Sequence, residues 1–235
     1  MITLPGFQIK DKIFEGFNSI IYRAFHQDQS KDVILKTLRN QYPSGEEIAR
    51  FKQEYQITKS LNNIKGVINA LDIVEHQNIF AIVLDDIAGD SLKRELDSVQ
   101  LEVLHFLKLA IRLTEILSQI HSENIIHKDI NPSNIVWNRE SDQLMIIDFG
   151  ISTSLSRENA EIRNPNRLEG SLAYMAPEQT GRMNRPIDHR SDLYSLGVTF
   201  YELLSGGKAL FEASDPMELV HCHTILVVQE DFPRW

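Results

Sequence analysis

The run His127-Lys128-Asp129-Ile130-Asn131-Pro132-Ser133-Asn134 sets an Asp and an Asn five residues apart, and Asp148-Phe149-Gly150 follows it. These residue types suit phosphoryl transfer. That reaction needs a carboxylate to orient an attacking hydroxyl, and oxygen ligands to hold Mg²⁺ on the phosphates. Hard cations such as Mg²⁺ prefer such oxygen donors. An Asp and an Asn on one loop can divide the two tasks, and a second Asp at the end of a buried strand supplies a further metal ligand.

The elements that must position these residues fall into two parts. Phe7 to Phe14 and Ile20 to Phe25 read as strands around a short turn at Glu15–Ser19, and Val33 to Leu38 as a third. Ser44 to Leu61 reads as a helix with Ile48, Phe51, Tyr55 and Thr58 on one face. Val67 to Val74 and Ile79 to Leu84 read as two more strands. Three strands, a helix and two strands do not make the regular alternation of a doubly wound sheet. The remainder is mostly helical. Leu101 to Ile120 carries Leu104, Leu107 and Ile111 at helical spacing. Two short apolar runs, Ile135–Trp137 and Leu144–Ile147, come next. The polar stretch Ser152 to Glu169 is too irregular for a packed element. Ser191 to Leu204 reads as a mostly apolar, buried helix. The boundary between the parts falls near Asp85–Ser91, where Gly89 breaks the pattern.

Taken together, the chain resembles the protein kinase family, with its HxDxxxxN catalytic loop and DFG turn. Val33-Ile34-Leu35-Lys36 is similar to the family's V-A-I-K strand, and Glu54 matches the carboxylate that pairs with that lysine. Gly170 to Glu178 resembles the end of the activation segment, and Asp192 the structural Asp of the helix beneath it. Ser171 stands where serine/threonine kinases carry a hydroxyl. The resemblance implies an α+β, bilobal kinase-like fold. Its N lobe (1–86) would hold a five-stranded antiparallel sheet plus one helix. Its C lobe (87–235) would be mostly helical and incomplete. The implied catalytic positions are Asp129, Lys36, Glu54 and Asn131. The implied nucleotide contacts are Gly16, Ser19, Ile21, Lys36, Asp85, Ile87, Asn134 and Asp148, with ATP as donor and Mg²⁺ on Asn134 and Asp148. Longer stretches, such as IIHKDINPSNIVWN, are similar to the N-terminal kinase domain of large cyanobacterial sensor kinases.

Departures from that pattern matter. The G-x-G-x-x-G spacing falls on Phe14, Gly16 and Ser19, so only one glycine remains. Glycine lets backbone N–H groups approach phosphate without a Cβ in the way. Asn131 replaces a lysine that would neutralise the moving phosphoryl group, and removing such a charge costs on the order of 10²-fold in rate. Lys128 replaces an arginine and lacks its bidentate fork. After Asp215 to His223 the family continues with further helices, whereas this sequence runs TILVVQEDFPRW. The expectation is a shortened C lobe in which Glu178 lacks an arginine partner, with a chain completing that lobe or further sensor-kinase modules as candidate partners. Three readings stay open: a Ser/Thr kinase acting on protein substrates, a pseudokinase-like binding module, and a truncated fragment.

Composition sets outer bounds. The 235 residues are 42% hydrophobic and 24% charged, with net charge -9. That balance argues against nucleic acid and anionic membrane as partners, since both require basic surface. One cysteine, Cys222, and no secretory leader point to a cytoplasmic protein. His221-Cys222-His223 lacks metal-site spacing, and Ser205-Gly206-Gly207-Lys208 is a turn rather than a phosphate loop. Ser152, Thr153, Ser154 and Ser156 are candidate phosphorylation sites.

Overall fold

A computed structural model describes residues 2–96, 101–154, 171–181, 185–213 and 215–225. Its first part is a five-stranded antiparallel sheet. Strands β1 (Phe7–Glu15), β2 (Ser19–His26), β3 (Lys31–Leu38), β4 (Ala70–His76) and β5 (Ile79–Asp85) stand in the order β1-β2-β3-β5-β4. One face buries Ala24, Val33, Leu35, Ala81 and Val83, and the other packs Phe80 and Ile82 against Phe51 of helix α1 (Gly45–Ser60). Alternation along β3 therefore sends Lys36 to the α1 side.

The start of α1 is fixed by a reciprocal cap. Ser44 Oγ accepts from Glu47 N, and Glu47 Oε2 accepts from Ser44 N. Its buried residues Phe51, Glu54 and Thr58 lie at helical spacing, so Glu54 points inward beneath the sheet. The strand expected from Val67 begins only at Ala70. Val67 instead bridges to Ile146, and Gly66 O accepts from Ile146 N at 2.8 Å. This segment thereby ties the sheet to the second part.

That second part is largely helical. It contains β6 (Asp90–Ser91), α2 (Leu92–Leu96), α3 (Val103–Ser122), β7 (Ile125–Ile126), the hairpin β8 (Ile135–Asn138) and β9 (Gln143–Ile146), β10 (Thr153–Ser154), α4 (His189–Leu204) and α5 (Pro216–Ile225). Helix α3 buries Phe106, Leu109, Leu113, Ile116, Leu117 and Ile120 in the main core. Leu104, Leu107 and Ile111, which signalled this helix in the sequence, lie instead on its solvent face. Apolar residues occupy two faces of α3, so the period gave the helix without giving its buried side.

Helix α4 is buried as expected, but by a different chemistry. Five of its eight buried residues are polar: Ser191, Asp192, Ser195, Thr199 and Glu202. The start of the polar stretch is packed too. Ser152 and Thr153 are buried, and Thr153 pairs with Ile126 in a short ladder. Neither hydroxyl is accessible for phosphorylation, and Ser156 lies outside the described residues. Gly206 and Gly207, both at positive φ, turn the chain after α4. Among the described residues, no helix is long and apolar enough to cross a membrane.

Candidate active site

Lys36 is buried on β3, facing α1. Its Nζ lies 2.6 Å from Glu54 Oε1 and 2.7 Å from Asp148 Oδ1. Burial opposes the charge on Lys36, but the two carboxylates outweigh it and raise its pKa. Burial is also the chief influence on Glu54, and it lifts that carboxyl to about 6 against the pull of Lys36. Asp148 resists the same desolvation because Lys36 and the Gly150 N–H stabilise its charge, so its pKa is lowered. Asp148 takes a left-handed conformation (φ 64°), a region that Asp tolerates better than most residues. The adjacent Phe149 is fully buried and meets His127 edge-on.

The loop after β7 is built around Asp129. Asp129 Oδ1 accepts from Asn131 Nδ2 (3.0 Å) and from Ser171 N (2.9 Å), while Oδ2 accepts from Asn134 Nδ2 (3.0 Å). Asn131 Oδ1 in turn accepts from Ser133 N and caps the short turn Pro132–Asn134. Beneath this loop lies Asp192, fully buried, which accepts from His127 N, Lys128 N and His121 Nε2. Gln179 completes the support. Its Nε2 donates to Lys128 O, and its Oε1 accepts from Ala176 N.

The structure thus brings Lys36, Glu54 and Asp148 into one cluster and Asp129, Asn131 and Asn134 into a second. The two clusters are joined where Ile147 N donates to Asn134 O. Ile21 is the cross-strand neighbour of Lys36, so it lies on the same sheet face. Gly16 and Ser19 close the β1–β2 turn, with Gly16 N donating to Ser19 O. The Asp85 carboxylate is committed to Lys31 Nζ and Asn69 Nδ2, and Ile87 O accepts from Asn138 Nδ2. The Asp85 N–H is spent as well, donating to Asn69 O at 3.1 Å.

Two supports had no clear signal in the sequence. Gln179 is one uncharged residue among many. Glu202, fully buried, holds Lys93 Nζ and the hydroxyl of Tyr174, linking α4 to α2 and to the segment that bears Ser171. An acidic residue inside the apolar run Phe200–Leu204 was the only hint. Glu178 accepts from Ser191 Oγ at 2.5 Å, and no ion pair to it occurs among the described residues.

The donor set fits Mg²⁺. Asn134 spends its amide N–H groups on Asp129, which leaves the carbonyl oxygen for a cation. Asp148 is only half-buried and binds Lys36 and Gly150 through one oxygen, Oδ1. A hard divalent ion takes such a neutral and an anionic oxygen together.

Known proteins similar to this chain include serine/threonine-protein kinases. The chain is 29% identical over 219 residues to a probable serine/threonine-protein kinase of Clostridium acetobutylicum, covering 92% of this chain and 32% of that relative. It is 32% identical over 204 residues to one of Clostridium perfringens, covering 85% of this chain and 29% of that protein. It is 30% identical over 202 residues to serine/threonine-protein kinase PrkC of Bacillus subtilis, covering 85% and 30%. The chain spans about a third of the length of these curated relatives. Residues 7–234 match the protein kinase domain family, and with its motifs in the places just described the chain belongs to that family.

Proposed function

We propose that this chain transfers the γ-phosphate of ATP to Ser or Thr hydroxyls of protein substrates, with residues 1–86 and 87–235 as the two lobes of one catalytic unit. The observation that carries the reading is the paired arrangement of a buried Lys36–Glu54–Asp148 cluster and an Asp129 held by three donors. Lys36, fixed from both sides, contacts the α- and β-phosphates. Asp129 orients the substrate hydroxyl and takes its proton as that oxygen bonds to the γ-phosphorus and the bond to ADP breaks. Asn134 and Asp148 hold Mg²⁺, which when bound draws charge from the phosphate oxygens. Ser171, bonded to Asp129 and Asn131, fits a serine/threonine rather than a tyrosine acceptor. ATP as donor and the lone Cys222 fit a cytoplasmic setting, and the longer relatives fit further modules beyond a catalytic unit.

The test is phosphate incorporation into a generic basic protein by the wild type and by Asp129→Asn. Incorporation should fall at least about 10²-fold in the variant while nucleotide affinity stays within about threefold. Equal incorporation by both proteins would sink the reading. A second reading, nucleotide binding without turnover, is favoured by Asn131 standing where a cation would neutralise the phosphoryl group. Binding of Mg-ATP by the wild type with no transfer would establish that reading instead.

A further inference from the structure

The β1–β2 turn keeps one glycine of the three expected, yet it has a defined shape. Gly16 N donates to Ser19 O and Arg39 N donates to Asn18 O, both at 2.9 Å. The Arg39 guanidinium reaches back across the turn. Its Nη1 donates to Gly16 O at 3.1 Å, and its Nη2 lies 3.5 Å from Glu15 Oε1. Glu15 also holds Lys12 at 2.6 Å through its other oxygen. A Cβ on Gly16 would come within 2.9 Å of the Phe14 ring, so the turn closes directly on the residue that replaces the first glycine.

Two consequences follow. The Gly16 N–H is spent inside the turn rather than offered to a ligand. The turn's shape is fixed from β3, the same strand that carries Lys36, because Arg39 lies three residues beyond Lys36 and one past the strand end. A glycine-rich turn must lose backbone freedom when it closes on a ligand, whereas a braced one has already lost it.

We propose that Arg39 is a positioning residue for the nucleotide: by bridging the Gly16 carbonyl and the Glu15 carboxylate, it holds the β1–β2 turn in the form that receives the phosphates. This rests on the kinase reading above, in which Lys36, on the strand that ends beside Arg39, contacts the phosphates.

The experiment titrates Mg-ATP against the 235-residue wild type, Arg39→Ala, Arg39→Lys and Glu15→Gln, with thermal unfolding of each. Arg39→Ala should weaken affinity about three- to tenfold, and Glu15→Gln by about twofold, since one contact of the brace then survives. Arg39→Lys should fall between the wild type and Arg39→Ala, because a single ammonium replaces a two-sided fork. Where turnover is measurable, KM for ATP should rise while kcat stays within about twofold. Unchanged affinity in Arg39→Ala overturns the inference. So does a loss in Arg39→Ala with none in Glu15→Gln, which marks direct phosphate contact. A Tm drop of more than about 4 °C in Arg39→Ala overturns it as well, marking a fold residue. Absence of nucleotide binding by the wild type refutes the kinase reading itself, and the inference with it.

Discussion

Asp192 is the part of this site whose removal can be worked out most fully. Its carboxylate lies on α4, fully buried, 2.8 Å from His127 N, 2.7 Å from Lys128 N and 2.8 Å from His121 Nε2. Two consecutive backbone N–H groups of the catalytic loop therefore depend on one side chain. Lys128 takes a left-handed conformation (φ 69°) in this arrangement, which a β-carbon disfavours. Asp192→Ala leaves both N–H groups buried without acceptors. A hydrogen bond to a charged group contributes about 1.5–3 kcal/mol, so the two together cost about 3–6 kcal/mol. In a protein of this size 1 kcal/mol moves Tm by about 2–4 °C, which predicts a drop of roughly 6–24 °C. Asp192→Asn keeps an acceptor for Lys128 N but turns an amide donor toward His127 N, and should lose about half as much. Thermal unfolding by circular dichroism measures both. Phosphate incorporation should fall further than Mg-ATP affinity, because Asp129 follows Lys128 directly while Lys36 and Glu54 sit on other elements. A Tm within about 2 °C of wild type for Asp192→Ala, with transfer intact, would refute the view that this carboxylate holds the loop.

Two further outcomes follow from the same geometry. Glu54 is held at about 6, above its ordinary 4.5, so it gains a proton as pH falls through 6 and Lys36 then keeps only Asp148. Mg-ATP affinity should decline several-fold between about pH 7.5 and 5.5, and Glu54→Gln should show low affinity with that pH dependence removed. A Cβ at Gly89 would come to 2.8 Å from the backbone carbonyl of Trp137, which cannot yield as a side chain could. Gly89→Ala should open the Asp90–Trp137 pairing and lower Tm by about 2–10 °C, readable by the same unfolding scan.

Much of the site was legible because its chemistry is tied to local order. The catalytic loop and the DFG turn are short contiguous runs, and the lysine strand precedes the helix carrying Glu54 by one connection. Strand alternation and helix period then require Lys36 and Glu54 to face each other. What stayed hidden depends on contacts distant in sequence. Leu104, Leu107 and Ile111 announced a helix, but only packing against the β8–β9 hairpin and α4 decides which of two apolar faces is inside. The buried polar side of α4 was unreadable for a similar reason. Ser195 and Thr199 bond back to carbonyls one turn earlier, Ser195 also reaches Tyr174 O, and Asp192 answers a loop 64 residues away. Ser152 looked like an exposed hydroxyl, yet it donates to His127 O, a partner that no local pattern signals.

Asn131 shows how a departure from a family pattern is changed by its surroundings. Judged by charge alone, replacing a lysine is a loss, since nothing at that side chain neutralises the transferring group. In the fold, one amide does work that an ammonium cannot. Its oxygen caps the Pro132–Asn134 turn through Ser133 N, and its nitrogen reaches Asp129 O (3.1 Å), Asp129 Oδ1 (3.0 Å) and Ser171 Oγ (3.3 Å). An ammonium has no acceptor for Ser133 N. The substitution therefore exchanges neutralisation for orientation, and it joins the Asp129 carboxylate to the segment bearing Ser171 through neutral donors. On the proposed reading, charge compensation at the phosphates would then fall to Lys36 and to a divalent ion on Asn134 and Asp148. That reading makes the rigidity of those few groups, held by Glu54 on Lys36 and by Ile147 N on Asn134 O, the condition for transfer.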